Sequence, residues 1–501
     1  MRSADRLRLL REAHGLRADR RTRNELAYAV YIAVLLVPLV GYPVLRAAIL
    51  GLSAPAVLAV LESPSAARGG GVVVGLLLAA ALWLGGLYGP VLLTPALVPL
   101  WAGTDVPRSR SLARTFVGRA LAMAAVVTAV AALPTVALVR AGTASVGAGT
   151  GFVLASAAFG VLVAIAWLAG QAGARRLVWL AGGGVVGLVV VSGVVPSLLT
   201  FMPWGWVGAM WPTAHSLGAP VRGAGLVALV VVACSAVRPL LDSLTATRLS
   251  EDAEKWHATG LAAGSGDIAH AIGRLRARPT FGRTWRAVRG LRPPMRFLVA
   301  DVIGGMRTPV RFAVGILALA CAGLLIALAP ASWVLAGAGA GLGYLALGVF
   351  SDGFRHAVDA AVAPALLGYP DAALFALHAT LPAVVSAAAG GVGLVVAHAS
   401  GVASSGPAVG LTLGLIVAVR AYDAAKGTLP AILLTPLAGP FGDLSSVSVS
   451  IWEVDALLIS ATAGAAIAAL THSGAVAASV AVTVALGSLV LVGLRRRVAR
   501  L

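Results

Sequence analysis

The chain runs in apolar blocks of roughly 20 residues separated by short charged stretches, and that is the length a helix needs to cross a hydrocarbon core of about 30 Å. The block length restricts the fold to membrane-spanning helices, because a closed barrel shows alternating segments of about 10 residues instead. Side-chain chemistry points the same way. Hydrophobic residues make up 59% and charged residues 11%, with a mean hydropathy of +0.93. So few polar side chains cannot cover the surface of a soluble protein of this size. Candidate spans fall at residues 26–45, 71–98, 116–139, 151–170, 178–200 and 224–241, and again at 312–329, 333–350, 376–399, 407–424, 454–471 and 475–494. The segment 429–451, interrupted by Pro430, Pro436, Gly439, Pro440, Gly442 and Asp443, reads as interfacial or re-entrant backbone buried in protein.

The predicted fold is therefore an all-α, polytopic integral membrane protein of about twelve transmembrane helices in two six-helix halves. Residues 1–25 form a cytoplasmic amphipathic helix, with Leu7, Leu10 and Ala13 at helical spacing among arginines. Residues 26–241 form the first half, 242–311 a basic cytoplasmic linker, 312–494 the second half and 495–501 a cytoplasmic tail. Arginine placement sets the orientation, since cytoplasmic loops retain Lys and Arg. Eight arginines precede the first span; Arg108, Arg110 and Arg114, then Arg175 and Arg176, then Arg355, then Arg420 and Lys426, and finally Arg495, Arg496, Arg497 and Arg500 follow on alternate turns. Twelve crossings with both termini cytoplasmic fit this bias. The net charge of +19 then faces anionic lipid. A nucleic-acid partner is not expected, because no basic domain interleaved with aromatic residues is present.

Function classes narrow by what the pattern lacks. No Gly-x-x-x-x-Gly-Lys-Ser/Thr phosphate loop occurs. Cys234 and Cys321, the two cysteines, lie in predicted spans and exclude a disulfide framework. Span centres are almost empty of ionisable groups, which argues against an ion-coupled secondary transporter; His378 and His398 bracket one span too far apart to share an ion. Only Glu62 is an acid in an outer loop, which argues against a membrane transferase. Glu453 and Asp455 read either as a cap of the helix that follows or as a carboxylate pair. A structural subunit of a larger complex stays open. Two local patterns suggest an internal duplication: Thr104-Asp105-Val106-Pro107-Arg108-Ser109-Arg110-Ser111-Leu112-Ala113 after the second span, and Leu367-Gly368-Tyr369-Pro370-Asp371-Ala372-Ala373-Leu374-Phe375-Ala376 in the second half.

Pro95-Ala96-Leu97 followed by Asp105-Val106-Pro107-Arg108-Ser109-Arg110-Ser111-Leu112-Ala113-Arg114, echoed by Ala363-Pro364-Ala365-Leu366-Leu367 with Tyr369-Pro370-Asp371, resembles the permease subunits of ABC-2 type ABC transporters, in particular the large two-block actinobacterial permeases. Phe297-Leu298-Val299-Ala300-Asp301, with Arg307-Thr308-Pro309-Val310-Arg311, looks like the start of a second such block. The resemblance implies a transport subunit without its own ATPase site, exporting an amphipathic or hydrophobic substrate. It implies no cofactor in this chain, ATP and Mg on a partner ATPase, and two ATPase subunits per permease chain. The ATPase would dock on short cytoplasmic helices at 102–115 and 351–375, with Asp105, Pro107, Arg108, Arg110, Arg355, Asp359 and Asp371 as contact candidates. The same charges also suit plain solvated loops that set topology. Between two spans of the first half, Trp204, Trp206 and Trp211 are candidates for an outer gate or substrate exit in such a family, and equally suit an interfacial aromatic belt.

Overall fold

The computed structural model describes Val34 and residues 41–102, 106–214, 218–264, 281–282, 284–286, 290, 292–330, 332–362, 368–399, 403–427, 429–435, 438–439, 442–443 and 445–499. The described chain is all-helical apart from one two-residue antiparallel pairing, Ala438 with Asp443 and Gly439 with Gly442. Nine of its helices are long and apolar enough to cross a membrane, and up to eleven if two bent helix pairs each count as one span. With no solvent inside a bilayer, the helix is the form that satisfies its own amides. The expected span at 26–45 and the amphipathic helix at 1–25 fall largely or wholly outside the described residues.

The chain divides into two compact units, Met1–Gly260 and Leu261–Leu501. In the first, α1 (Tyr42–Leu52) and α2 (Pro55–Glu62) lead into α3 (Pro64–Leu87); α4 (Val98–Ala102) and α5 (Arg108–Ser111) are short; α6 (Ala113–Arg140), α7 (Val146–Ala172) and α8 (Arg175–Val194) are long. Then follow α9 (Pro203–Ala209), α10 (Ala219–Ser235) continued by α11 (Val237–Ser243), and α12 (Ala246–Gly264). The second unit holds α13 (Met295–Met306), α14 (Pro309–Ala327), α15 (Trp333–Leu347), α16 (Asp352–Val362), α17 (Asp371–His378), α18 (Thr380–Ala399), α19 (Gly406–Ala424), α20 (Ser445–His472) and α21 (Val476–Val498).

Several boundaries differ from the sequence expectation for local reasons. The second span starts at Pro64, a residue preorganised for a helix's first turn, and stops at Leu87 rather than running to 98: Tyr88 is extended and Gly89-Pro90 follow. The fifth stops at Val194, where Pro196 opens a 3-10 turn to Thr200. Segment 429–451 contains a 3-10 turn at Ala431–Leu434, the two-residue pairing and the first turns of α20. Because α20 begins at Ser445, Glu453 and Asp455 lie inside a helix, so the cap reading is wrong for both. At the ends away from the arginines, Ser145, Ser332 and Ser405 cap α7, α15 and α19 by accepting from the amides of Ala148, Leu335 and Ala408.

Small residues set the crossings, since apolar lipid gives no hydrophobic drive and close backbone approach must supply the attraction. A Cβ on Gly85 of α3 would meet the Trp167 carbonyl and lie 2.8 Å from Gly170 Cα of α7. In the second unit, Gly323 of α14 and Gly393 of α18 abut through backbone in the same way. The pair Gly183-Gly184 faces open space, whereas the neighbouring Gly182 meets the Trp83 ring. Within the first unit α3 packs on α7 and α8, α6 on α7, α10 on α7, and α1 on α6. Within the second, α15 packs on α19 and α20, α18 on α19, α21 on α19, and α14 on α18. Counted by order along each unit, these pairings correspond, while α14 on α15 and α20 on α21 have no counterpart of similar extent among the described residues of the first unit.

Candidate functional site

The expected coupling segments lie at the helix ends where arginines gather, called here the basic ends. In the first unit, Pro107 is exposed and extended, and ends the stretch leading into α5. The Arg108 guanidinium donates to the Leu244 carbonyl, and the Ser109 amide donates to Asp242 Oδ1 at 2.7 Å. This short helix is therefore tied to the end of α11. Beneath it, Val91, Val98 and Leu112 are buried with Leu168, Leu241, Leu244 and Leu249. Arg110 is exposed, and Asp105 lies outside the described residues.

Next to this tie, one amide joins three segments. Gln171, at the end of α7, accepts from the Val91 amide at 3.2 Å and donates to the Val91 carbonyl at 3.1 Å. Its Nε2 also donates to Asp252 Oδ2 of α12, at 3.1 Å. Arg248 donates to the Gly86 carbonyl at 2.7 Å, satisfying one of the open carbonyls at the end of α3. Asp252 is 1% exposed. Burial pushes its carboxyl up and Glu251 adds to the shift, against Arg248, Gln171 and Lys255, which favour the ionised form. Tyr88 is pushed up to about 12, by burial first and by the charge of Asp252 second.

The second unit builds its node from side chains on α14, α15, α16 and α19, with further ties from α13, α17 and α20. From α15 to α16 the chain bends by 59°. Arg311 of α14 braces the bend: its Nη1 and Nη2 donate to Asp352 at 2.6 and 3.1 Å, and Nη2 also donates to the Gly348 carbonyl at 2.9 Å. Arg420 of α19 holds Asp423 at 3.1 Å and lies over the Tyr344 ring, while the Tyr344 hydroxyl donates to Asp423 Oδ2 at 2.8 Å. On α16 itself, Phe354 and Ala357 are buried, His356 and Asp359 exposed, and Arg355 half-buried. His378 Nδ1 lies 2.8 Å from Asp301 Oδ2, tying α17 to α13; a Cβ on Gly353 would strike both. Asp371 is exposed in the first turn of α17, where a carboxylate suits the helix dipole. Lys426 pairs with Asp455 at 2.6 Å and donates to the Trp452 carbonyl.

Of the sequence candidates, Arg108 and Arg355 thus turn toward the fold, whereas Pro107, Arg110, Asp359 and Asp371 are exposed. Sequence reasoning missed Gln171, Asp242, Arg248, Asp301, Tyr344 and their pairings. Arg420 and Asp423, three residues apart on one helix, carried a readable signal. At the opposite end, Trp204 and Trp211 are 3% and 8% exposed and Trp206 is half-buried. Their indole nitrogens donate to Ser192 Oγ, the Leu61 carbonyl and the Thr200 carbonyl, for Trp204, Trp211 and Trp206 respectively. A Cβ on Gly75 would approach the Trp204 ring to 3.0 Å, so the ring is seated against the glycine face of α3. Comparison with family models, with curated proteins and with solved structures found no match.

Proposed function

We propose that the chain is the membrane-spanning permease subunit of an ABC-2-like transporter, moving an amphipathic or hydrophobic substrate outward under control of a separate ATPase. In this reading the chain crosses a bacterial inner membrane twelve times as two six-helix halves, with the basic ends and both termini cytoplasmic. Two ATPase copies dock on each chain, and ATP and Mg belong to them. The observation that carries the reading is the recurrence of one device. At the basic end of each unit a short helix is held through an arginine: Arg108 of α5 on the Leu244 carbonyl in one, and Arg311 of α14 on Asp352 of α16 in the other. A force applied to a helix so tied is passed to the spans rather than absorbed by a loose loop.

The matching helix pairings within the two units support a duplicated transport fold. Arg110, Asp359 and Asp371 are then the exposed charges available to the ATPase. The test is purification of the full chain from its native host in mild detergent, with mass spectrometry of what accompanies it. The expected result is an ATPase bearing its own phosphate loop at about two copies per chain. Absence of any nucleotide-binding partner, under conditions that keep other membrane complexes intact, refutes the reading.

A further inference from the structure

Three arginines on three helices gather at the basic end of the second unit: Arg311 of α14, Arg355 of α16 and Arg420 of α19. Two are matched. Arg311 grips Asp352 through both terminal nitrogens, and Arg420 holds Asp423, whose Oδ2 also accepts from Tyr344. Both aspartates are therefore already engaged by other cations. Arg355 lies three and four residues beyond Asp352 and Ser351, the residues that Arg311 and Arg420 contact, so it follows them on the same face of α16. It is half-buried, and among the described residues it makes neither a hydrogen bond nor an ion pair. Asp359, one turn further along α16, is not paired with it, and nearby Asp301 is taken by His378.

Neither aspartate of the node is left for the Arg355 guanidinium. Holding an unmatched guanidinium half-buried beside like charges is unfavourable until an anion joins it. The donors left over are the whole Arg355 fork and Arg420 Nη2, whose Nε and Nη1 already serve Ser351 and Asp423. Arg420 Nη2 borders Gly348, where a Cβ would lie 2.7 Å from it, so glycine at the bend keeps that approach open. A planar guanidinium fork matches phosphate oxygens in a way that a compact ammonium does not.

We propose that this node binds a phosphate group, with Arg355 as the principal donor and Arg420 Nη2 as the second. The phosphate is either that of an anionic phospholipid headgroup, since the node lies at the ends of apolar helices, or that of a free phosphate or phosphorylated solute. The proposal does not depend on the transport reading.

The experiment uses the full chain purified in detergent. Native mass spectrometry compares retention of phosphatidylglycerol with phosphatidylcholine at equal concentration, and thermal melting is followed during titration with sodium phosphate against sodium chloride of equal ionic strength. Arg355→Gln, Arg355→Lys and, as a control for general positive charge, Arg110→Gln are measured alongside. Preferential retention of phosphatidylglycerol by the wild type, weakened about tenfold by Arg355→Gln and unchanged by Arg110→Gln, supports the site with a lipid source. Stabilisation by inorganic phosphate with the same dependence on Arg355, and no preference between lipids, supports it with a soluble source. If Arg355→Gln does not fold, the lysine variant decides: it keeps the charge but loses the fork, and binding must weaken. A wild type that neither prefers phosphatidylglycerol nor responds to phosphate overturns the proposal. So does binding that falls equally in the Arg110 and Arg355 variants.

Discussion

Gly85 and Gly86 are adjacent on α3, yet the structure predicts opposite responses to alanine. A Cβ at Gly85 would meet the Trp167 carbonyl and lie 2.8 Å from both the Gln171 amide nitrogen and Gly170 Cα. Carbon pairs rest at about 3.5–4.0 Å, so α3 and α7 must part by about 1 Å, which forfeits roughly a quarter to a half of the dispersion well along the crossing. Overpacking of this kind costs about 1–3 kcal/mol. Alanine's better helix propensity returns up to about 1 kcal/mol. Gly85→Ala is thus expected to destabilise by about 1–2 kcal/mol. At Gly86 the added Cβ would lie 3.6 Å from Val178 Cγ1, ordinary contact. Only the propensity gain remains, so Gly86→Ala is expected to stabilise by about 0.5–1 kcal/mol. The assay is thermal unfolding of both purified variants in one detergent, followed by tryptophan fluorescence. Melting temperatures that move in the same direction by similar amounts would refute the close crossing.

Other expectations concern the charged ends and the seated indoles. Arg311→Gln removes a bidentate pair whose side chains are 22% and 34% exposed, so the loss is expected near 1–2 kcal/mol. The gap between wild-type and variant melting should narrow as NaCl rises. Asp252 has a carboxyl raised by burial, so the folded chain holds a proton more tightly than the unfolded chain, whose value is about 3.9. Stability tied to this group is therefore greatest below about 3.9 and is lost as pH rises through the folded value. In a melting series from pH 4 to 7, Asp252→Asn should improve relative to wild type as pH rises, and a difference moving the other way sinks the argument. Trp204→Ala vacates a seat that is 3% exposed and is expected to cost about 3 kcal/mol, with Trp206→Ala costing visibly less on the same assay.

The spans were readable because burial in lipid imposes one rule, an apolar run of fixed length, and that rule needs no knowledge of partners. The error at the second span shows where it stops. Apolar character continues past Leu87, but Tyr88-Gly89-Pro90 end the helix and the Gln171 side chain occupies the space a Cβ at Gly89 would need. Only the fold could reveal that a residue 80 positions away fills the break. The charged ends were legible as a list of residues near span boundaries. Their pairing was not, because Arg311 and Asp352 are 41 residues apart and Asp301 and His378 are 77 apart. The tryptophan cluster was found for its composition, but its seating depends on glycines in α3 that carry no such signal.

The bond between Gln171 and Asp252 also bears on how the chain is made. Asp252 lies just before the first unit ends at Gly260, and it ties α12 to the end of α7 and to the break after α3. Domains emerging from the ribosome tend to fold as units, N-terminal first. Every residue of this knot has been synthesised before any of α13 to α21 exists. The first unit therefore carries, within its own sequence, everything needed to latch at its own base before the second unit's helices are made.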